Sequence, residues 1–335
     1  MENDVITMAH GAGGSLSHAL VEKYILPEFG NPLLNELHDG ATIELSGRTA
    51  FTTDSYVVKP LFFPGGNIGK LAVCGTVNDL SMTGAVPRYL SMGLILEEGF
   101  PLADLRKILH TMHLAAEEAG VYIVTGDTKV VGRGGADGIF INTAGIGDII
   151  AGVDISPRHV CAGMDVILSG FIGDHSAAVM AARHGLELPP EIQSDCAPLN
   201  GLTKAMLTAA PQIAVLRDPT RGGIAASLNE IAQQSGTGIL LEEDALPIRP
   251  EVQGVCDILG FDPLYLANEG KLLAFTRPED TEKVLAAMHG NCYGREARVI
   301  GHTTAEAVGQ VGLRTALGGI RIVDMPMGTL VPRIC

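Results

Sequence analysis

Strand-like apolar runs alternate with helix-like segments along most of the chain, and this alternation constrains the fold more than any other feature. Residues 49–58 (TAFTTDSYVV) and 121–131 (VYIVTGDTKVV) are predicted strands, and a further strand follows the second. Residues 67–85 are rich in small side chains and predict a buried helix, while residues 101–120 predict an amphipathic helix that stops at Gly120. Such alternation indicates mixed α/β domains.

The length and a turn-rich break predict two domains and a tail. At 335 residues the chain exceeds the usual size of one domain. A turn-rich stretch, SPRHVCAGMD, precedes a second strand and helix series, so we predict an N-terminal domain over 1–150 and a C-terminal α/β domain over 151–324. Residues 325–335 hold two prolines and no periodicity, which predicts an extended, mobile tail that spans roughly 35 Å when stretched.

Composition excludes several classes of function. The net charge of −15 and the absence of clustered Lys and Arg disfavour nucleic-acid binding. The six cysteines are scattered without a CxxC, which is typical of reduced thiols in a cytosolic protein. No apolar run approaches the length of a membrane span, and the first residues do not resemble a signal peptide. We therefore expect a cytoplasmic protein that neither spans a membrane nor binds nucleic acid.

Four glycine-rich segments are able to cradle phosphate through their backbone amides. They are HGAGGS (10–15), PGGNIGK (64–70), VGRGGAD (131–137) and TRGG (220–223). None has the Walker A or G-x-G-x-x-G spacing, and each alone is more often a turn. Four in one chain favour nucleotide binding. The candidate contacts in these segments, or in the helix that follows the second, are His10, Gly11, Gly13, Gly14, Lys70, Asn78 and Thr220.

Four aspartates lie beside these loops. Asp54 and Asp127 are predicted at the ends of strands, Asp218 follows the apolar run IAVLR, and Asp79 lies inside an apolar helix. An unpaired carboxylate in such a helix is costly to bury, although a single Asp at a turn or cap has a structural explanation. Together the four predict oxygen ligands for Mg²⁺ ions that bridge a polyphosphate.

Three further residues carry reactive groups. Lys129 lies in GDTK, and Glu269 lies in NEGK at a loop–strand junction, where a carboxylate is usually solvated. Cys335 is the last residue, and a terminal cysteine is on its own more often without a role than functional. Its thiol gains significance only if the chain builds chemistry that a mobile tail can reach.

Together and in this order, these motifs resemble one ATP-dependent superfamily. Its members include aminoimidazole ribonucleotide synthetase, selenophosphate synthetase and thiamine-monophosphate kinase. Residues 52–80 (TTDSYVVKPLFFPGGNIGKLAVCGTVNDL), VTGDTKVV, DPTRGG, NEGK and the terminal PRIC are similar to the HypE family of hydrogenase maturation proteins. The resemblance covers essentially the whole chain, with TTDS where STDS is more usual, and implies two mixed α/β domains of the aminoimidazole ribonucleotide synthetase type.

The resemblance also implies an activity. It is the ATP-dependent dehydration of an S-carboxamide on Cys335 to a protein thiocyanate, which supplies the cyanide ligands of [NiFe]-hydrogenase. Lys129 and Glu269 resemble the residues that handle protons on the carboxamide, and HGAGGS resembles the loop that covers the ATP phosphates. The implied magnesium and nucleotide ligands are Asp54, Asp79, Asp127 and Asp218.

The resemblance implies partners as well. The carbamoyltransferase HypF would modify Cys335, and a HypC–HypD iron scaffold would receive the cyanide. The family members are homodimers whose N-terminal domains meet and form the nucleotide site near that contact.

Two other functions remain compatible with the sequence. A kinase of the same superfamily that acts on a free small molecule would use the same loops and aspartates without needing Cys335. A scaffold whose terminal cysteine binds a metal or a partner would carry a vestigial nucleotide site.

Overall fold

Two mixed α/β layers organise the chain in the computed structural model, which describes residues 5–12, 14–37, 40–45, 47–326, 328 and 334. In this part of the chain the first layer holds a four-stranded sheet, and the second holds a seven-stranded sheet. The predicted α/β class is confirmed. No helix within the described residues is long and apolar enough to cross a membrane.

The N-terminal sheet has the strand order β1-β6-β4-β5, in which only β4 and β5 run parallel. A short ribbon of β2 and β3 lies beside it. The strands are β1 (Thr49–Tyr56), β2 (Phe62–Phe63), β3 (Gly66–Asn67), β4 (Ala85–Glu97), β5 (Tyr122–Val131) and β6 (Ile139–Ile149). The helices are α1 (Ser15–Leu20), α2 (Leu26–Phe29), α3 (Ile68–Met82) and α4 (Leu102–Ala119).

Helix α3 covers one face of this sheet because most of its side chains are apolar, and all of its residues except Lys70 and Asp79 are buried. It begins where the Asn67 side chain accepts hydrogen bonds from the amides of Gly69 and Lys70, which caps the helix. Helix α4 packs on α3 and ends at Gly120, whose positive φ of 67° is the left-handed cap that the sequence predicts. The opposite face of the sheet exposes large apolar side chains, including Phe51 at 68%.

The C-terminal sheet has the order β13-β12-β9-β11-β7-β10-β8 and is antiparallel except where β12 meets β9. Its strands are β7 (Asp165–Leu168), β8 (Val215–Arg217), β9 (Gly238–Glu242), β10 (Leu273–Thr276), β11 (Arg298–Thr304), β12 (Val311–Arg314) and β13 (Ile320–Ile322). Its helices are α5 (Asp174–His184), α6 (Asn200–Ala209), α7 (Gly223–Ser235), α8 (Pro250–Leu259) and α9 (Pro278–His289).

We propose a domain division near residue 150, since β6 ends the first sheet at Ile149 and β7 begins the second at Asp165. Of the predicted tail over 325–335, the structure describes residues 325, 326, 328 and 334. Ile334 is not on the surface. Its side chain is 5% exposed and belongs to the core cluster of the N-terminal layer.

Candidate active site at the contact between the two domains

Three of the predicted aspartates meet where the two domains touch, and we call Asp54, Asp79 and Asp218 the acid cluster. Asp54 lies on the α3 side of β1, Asp79 lies on α3, and Asp218 directly follows β8. Asp79 Oδ2 accepts a hydrogen bond of 2.9 Å from the Thr52 hydroxyl. Asp54 lies inside β1, whose alternation of buried and exposed residues continues to Tyr56, so the strand ends near Asp54 as predicted.

Burial and mutual repulsion perturb the acid cluster. Burial raises the pKa of Asp79, and the charge of Asp54 adds to the rise. Burial together with the Asp79 charge raises the pKa of Asp218 to about 7. Two arginines offset part of this repulsion: Arg221, in the loop after β8, lies 3.7 Å from Asp54, and Arg217, the last residue of β8, lowers the pKa of both other carboxyls. A site of this kind favours a bound cation.

The turn after Asp218 depends on two glycines with positive φ. Thr220 donates its amide to the Asp218 carbonyl at 3.0 Å and accepts at its own carbonyl from Gly223 at 2.9 Å. Gly222 and Gly223 have φ of 77° and 61°. A Cβ on Gly223 would lie 2.5 Å from two main-chain carbonyl oxygens, so this turn admits no side chain.

Glu269 is buried, which corrects the expectation of a solvated carboxylate. Glu269 is only 3% exposed, and its carboxyl oxygen Oε1 has no hydrogen-bond partner within the described part of the chain. Burial raises the pKa of Glu269 well above its usual value, and Cys196, Asp195 and Asp218 add to the rise. The burial follows from Gly270, because a Cβ there would lie 1.7 Å from the Asp195 carbonyl, so the two segments pack backbone to backbone.

Two predicted nucleotide contacts have other partners in this structure. Asn78 donates to the carbonyls of Ala197 and Glu269 at 3.1 and 3.3 Å and accepts from the amide of Leu199 at 2.7 Å. Lys70 donates to the Gly65 carbonyl at 3.2 Å. Asn78 therefore joins the two domains.

A second group of predicted residues lines a cavity of about 330 Å³ along β5. The loop at His10 and Gly11 forms one wall, Asp127 and Lys129 form another, and apolar side chains of α1 and the following turns complete it. His10 is fixed by the amide of Thr7, which donates to Nδ1 at 3.0 Å. Gly13 lies outside the described residues, and Gly14 is the residue that caps α1.

The ion pair at this cavity is exposed. Lys129 Nζ lies 2.6 Å from Asp127 Oδ2. The hydrogen bond from Lys129 is the main cause that lowers the pKa of Asp127. Asp127 lies inside β5, which continues to Val131 as the predicted strand over 121–131 does, so this aspartate is not at the end of the strand.

The structure does not bring the four predicted aspartates together within one chain. The strands β1 and β5 are opposite edges of the sheet, three strand spacings or about 14 Å apart. The register aligns Asp127 with Gly93, Asn142 and Ser55, so Asp127 lies on the face opposite to Asp54. Among the described residues, no three His, Cys, Asp or Glu side chains are placed to hold a metal ion.

One site residue has no sequence signal. His175 of α5 is fully buried, with Nδ1 at 2.8 Å from the Ser194 hydroxyl and Nε2 at 2.7 Å from the carbonyl of Ile334. These partners are 19 and 159 residues away in the sequence, which is why no local pattern marks the histidine. Cys335 follows Ile334 in the sequence and lies outside the described residues.

Comparison with known proteins agrees with this architecture. Residues 37–149 match the N-terminal domain of AIR synthase related proteins, and residues 162–314 match the C-terminal domain. The chain is 51% identical to the carbamoyl dehydratase HypE of Rhodobacter capsulatus, over 100% of this chain and 99% of that one. The chain belongs to the HypE family. The resemblance drawn from the motifs is therefore confirmed, as is the fold it implies.

Solved structures of HypE proteins superpose on more than nine-tenths of the chain. A crystal structure of the hydrogenase maturation protein HypE in complex with ATP has a TM-score of 0.95 and 46% identity, covering 98% of this chain and 99% of that one. A HypE–HypF complex gives a TM-score of 0.81 and 49% identity, covering 92% and 100%. The HypE family thus includes a member that binds ATP and a member that assembles with HypF.

Proposed function

We propose that this chain is an ATP-dependent carbamoyl dehydratase of hydrogenase maturation, which converts an S-carboxamide on its own Cys335 into a protein thiocyanate. One observation carries the proposal. Ile334, the residue before that cysteine, is buried and hydrogen-bonded to His175 in the same region as Oε1 of Glu269, which has no hydrogen-bond partner among the described residues. The relatives named carbamoyl dehydratase support the same reaction.

A short segment, Ser194 and Asp195, links Glu269 to the His175 that bonds to Ile334 of the tail. Ser194 contacts His175 through its hydroxyl at 2.8 Å. The next residue, Asp195, accepts a hydrogen bond of 3.0 Å from the main-chain amide of Glu269. Adjacent residues therefore hold the tail and the candidate base, which supports a site where the terminal sulfur meets Glu269.

The chemistry explains the need for ATP. The oxygen of S–C(=O)–NH₂ is a poor leaving group, and transfer of the γ-phosphoryl group to it, with release of ADP, turns that oxygen into part of a phosphate. Breakage of the C–O bond then releases phosphate, and loss of both N–H protons leaves S–C≡N. The net change is the carboxamide and ATP giving the thiocyanate, ADP and phosphate.

Glu269 is the proposed base for the nitrogen protons. A buried carboxyl with a raised pKa is a stronger base than a solvated one once its own proton has left. Within the described residues nothing bonds to its Oε1, so this oxygen can accept from a substrate N–H. We propose that Lys129 stabilises the negative charge on the activated oxygen. Because β5 lies at the opposite edge of the sheet from β1 and the acid cluster, this Lys129 must come from a second copy of the chain.

The acid cluster supports magnesium binding together with phosphate oxygens, since the described carboxyls alone are not placed to hold the ion. Burial and repulsion raise the pKa of Asp79 and Asp218, and a divalent cation relieves both effects. We propose that Asp54, Asp79 and Asp218 hold Mg²⁺, with Asp127 joining from another protomer. A bound Mg²⁺ would neutralise the charge that develops on the transferring phosphoryl group.

A homodimer would unite the two groups of residues. The open face of the N-terminal sheet carries a row formed by Phe51, Ile146, Tyr89 and Tyr122, one from each strand. Phe51 and Tyr122 are 68% and 60% exposed, which is unusual for side chains of this size unless another surface covers them. We propose that the same face of a second copy covers this row and brings its β5 residues toward the acid cluster.

We further propose HypF as the source of the carboxamide, by analogy with the relative solved in complex with HypF. A HypC–HypD scaffold is the proposed acceptor of the cyanide. We place the reaction in the cytoplasm, because the described cysteines are free thiols, as reducing compartments favour.

The test is intact-mass spectrometry of the chain incubated with HypF, carbamoyl phosphate, ATP and Mg²⁺. The wild type should gain the mass of one CONH group and then lose the mass of one water, and Cys335→Ser should do neither. Glu269→Gln should gain the group normally but lose water at least about 100-fold more slowly. The matched control is Glu306→Gln, which changes an exposed carboxylate in the second domain.

Two results would contradict the proposal at different points. A wild type that gains the CONH group but never loses water with ATP is not a dehydratase. A Glu269→Gln variant that forms the thiocyanate at the normal rate shows that another group is the base.

A further inference from the structure

The tail is held by a hydrogen bond whose direction is fixed. The Ile334 carbonyl oxygen can only accept, so Nε2 of His175 carries the proton in the 2.7 Å contact. Burial lowers the pKa of His175, which keeps the ring neutral and leaves Nδ1 as an acceptor. The Ser194 hydroxyl therefore donates to Nδ1 at 2.8 Å and accepts from the amide of Cys196 at 3.2 Å.

An apolar seat accompanies this hydrogen bond. The Ile334 side chain is 5% exposed and belongs to the same core cluster as Phe63, Val179 and Cys196. The ring of Phe63 meets the imidazole edge to face, with centroids 5.4 Å apart. The histidine cannot rotate freely between this ring and Ser194, so its Nε2–H has one direction.

We propose that His175, oriented by Ser194, is a positioning residue that seats the tail at the Ile334 carbonyl and sets the approach of Cys335 to Glu269. This inference rests on the proposed function. Because the peptide group is planar, a fixed Ile334 carbonyl fixes the plane from which the last residue continues. The seat must also release the tail for carbamoylation, which suits a contact made of one neutral hydrogen bond and one apolar side chain.

Matched substitutions separate the donor from the bulk of the imidazole. His175→Gln places an N–H donor near the position of Nε2, whereas His175→Phe fills similar space without a donor. Ile334→Ala weakens the seat from the tail side, where a substitution does not threaten folding. All are made with the exposed Cys161 and Cys292 changed to serine, since the other described cysteines, Cys74, Cys196 and Cys256, are buried.

Two measurements follow the tail. The rate at which iodoacetamide alkylates the Cys335 thiol, read by intact mass, should rise about fivefold in His175→Phe and in Ile334→Ala, as loss of one hydrogen bond or apolar contact predicts. ATP-driven loss of water from the carbamoylated chain should fall by a similar factor, while carbamoylation by HypF, which needs the released tail, should not fall. His175→Gln should lie near the wild type in both.

The outcomes distinguish this inference from the proposed function. If a folded His175→Phe alkylates and dehydrates like the wild type, or if a folded His175→Gln fails as badly as His175→Phe, the inference is wrong. If His175→Phe does not fold, Ile334→Ala with an unchanged alkylation rate is enough to overturn it. If His175 protects the Cys335 thiol of the wild type but the carbamoylated wild type never loses water, the inference about the tail holds and the proposed dehydratase function is wrong.

Discussion

The side-chain amide of Asn78 donates a hydrogen bond of 3.3 Å to the main-chain carbonyl of Glu269, across the contact between the two domains. The same side chain also bonds to Ala197 and Leu199, so both its amide and its oxygen are engaged. Asp79, the next residue of α3, belongs to the acid cluster. One helix thus fixes the candidate base on one side and presents a candidate metal ligand on the other.

Replacing Asn78 with alanine should loosen this contact. Three buried main-chain groups would lose their partner, which costs about 1–3 kcal/mol of the free energy of unfolding. Loss of water from the carbamoylated chain should slow as well, because Glu269 is no longer held. Urea unfolding and intact-mass kinetics measure both, with Gln234→Ala on the exposed side of α7 as control. An unchanged unfolding midpoint would show that the Asn78 hydrogen bonds do not stabilise the contact between the domains.

The pH dependence of stability should report on Asp218. Its pKa is about 7 in the folded chain against 3.8 ordinarily, so the folded state binds this proton more tightly. The stabilisation is complete below about pH 4 and is lost as the pH rises through 7. Asp218→Asn should therefore be more stable than the wild type at pH 8 without Mg²⁺, by on the order of 2–4 kcal/mol, and the two should converge near pH 4.

Thermal unfolding across this pH range measures the difference. Asp257→Asn, an exposed carboxylate on α8, is the control and should follow the wild type. Parallel curves of unfolding temperature against pH for the wild type and Asp218→Asn would mean that burial and Asp79 do not raise the pKa of Asp218.

Much of the local structure could be predicted from the sequence, because periodicity and caps are local. The helices α3 and α4 and the strands β5 and β6 lie where their patterns place them. Strand β4 has no such prediction, and it contains Pro87, a residue that is unusual in a central strand. The sheet accommodates it with a shift in register between Pro87 and Tyr89.

The assembly of the site could not be predicted in the same way. The motifs identify Asp54 and Asp127 alike, but only the strand order and register show that they lie on opposite edges and faces of the sheet. The burial of Glu269 depends on the close approach of Gly270 to Asp195, and the role of His175 on Ile334. These contacts join distant segments and leave no periodic signal.

The phosphate-loop prediction can be tested with two glycines of one motif. A Cβ on Gly11 would lie 2.7 Å from the amide nitrogen of Val130, whereas a Cβ on Gly14 meets nothing within 4 Å. Gly11→Ala should push the loop off β5 and raise the KM for ATP about tenfold, as overpacking of 1–3 kcal/mol predicts. Gly14→Ala keeps every backbone amide and should change the KM less than about twofold. Equal effects of the two would place the nucleotide elsewhere.

The open face of the N-terminal sheet predicts the oligomeric state. Phe51 lies in the row that crosses all four strands, so Phe51→Glu places a charge in the proposed dimer contact, where desolvation is costly. The variant should be monomeric by light scattering at concentrations where the wild type is a dimer. It should also lose ATP-driven release of water, because Lys129 and the acid cluster then stay apart. Leu317→Glu is the control, since Leu317 is 99% exposed on a turn far from this face in the sequence. A dimeric Phe51→Glu, or a dimer lost only in Leu317→Glu, would move the contact to another surface.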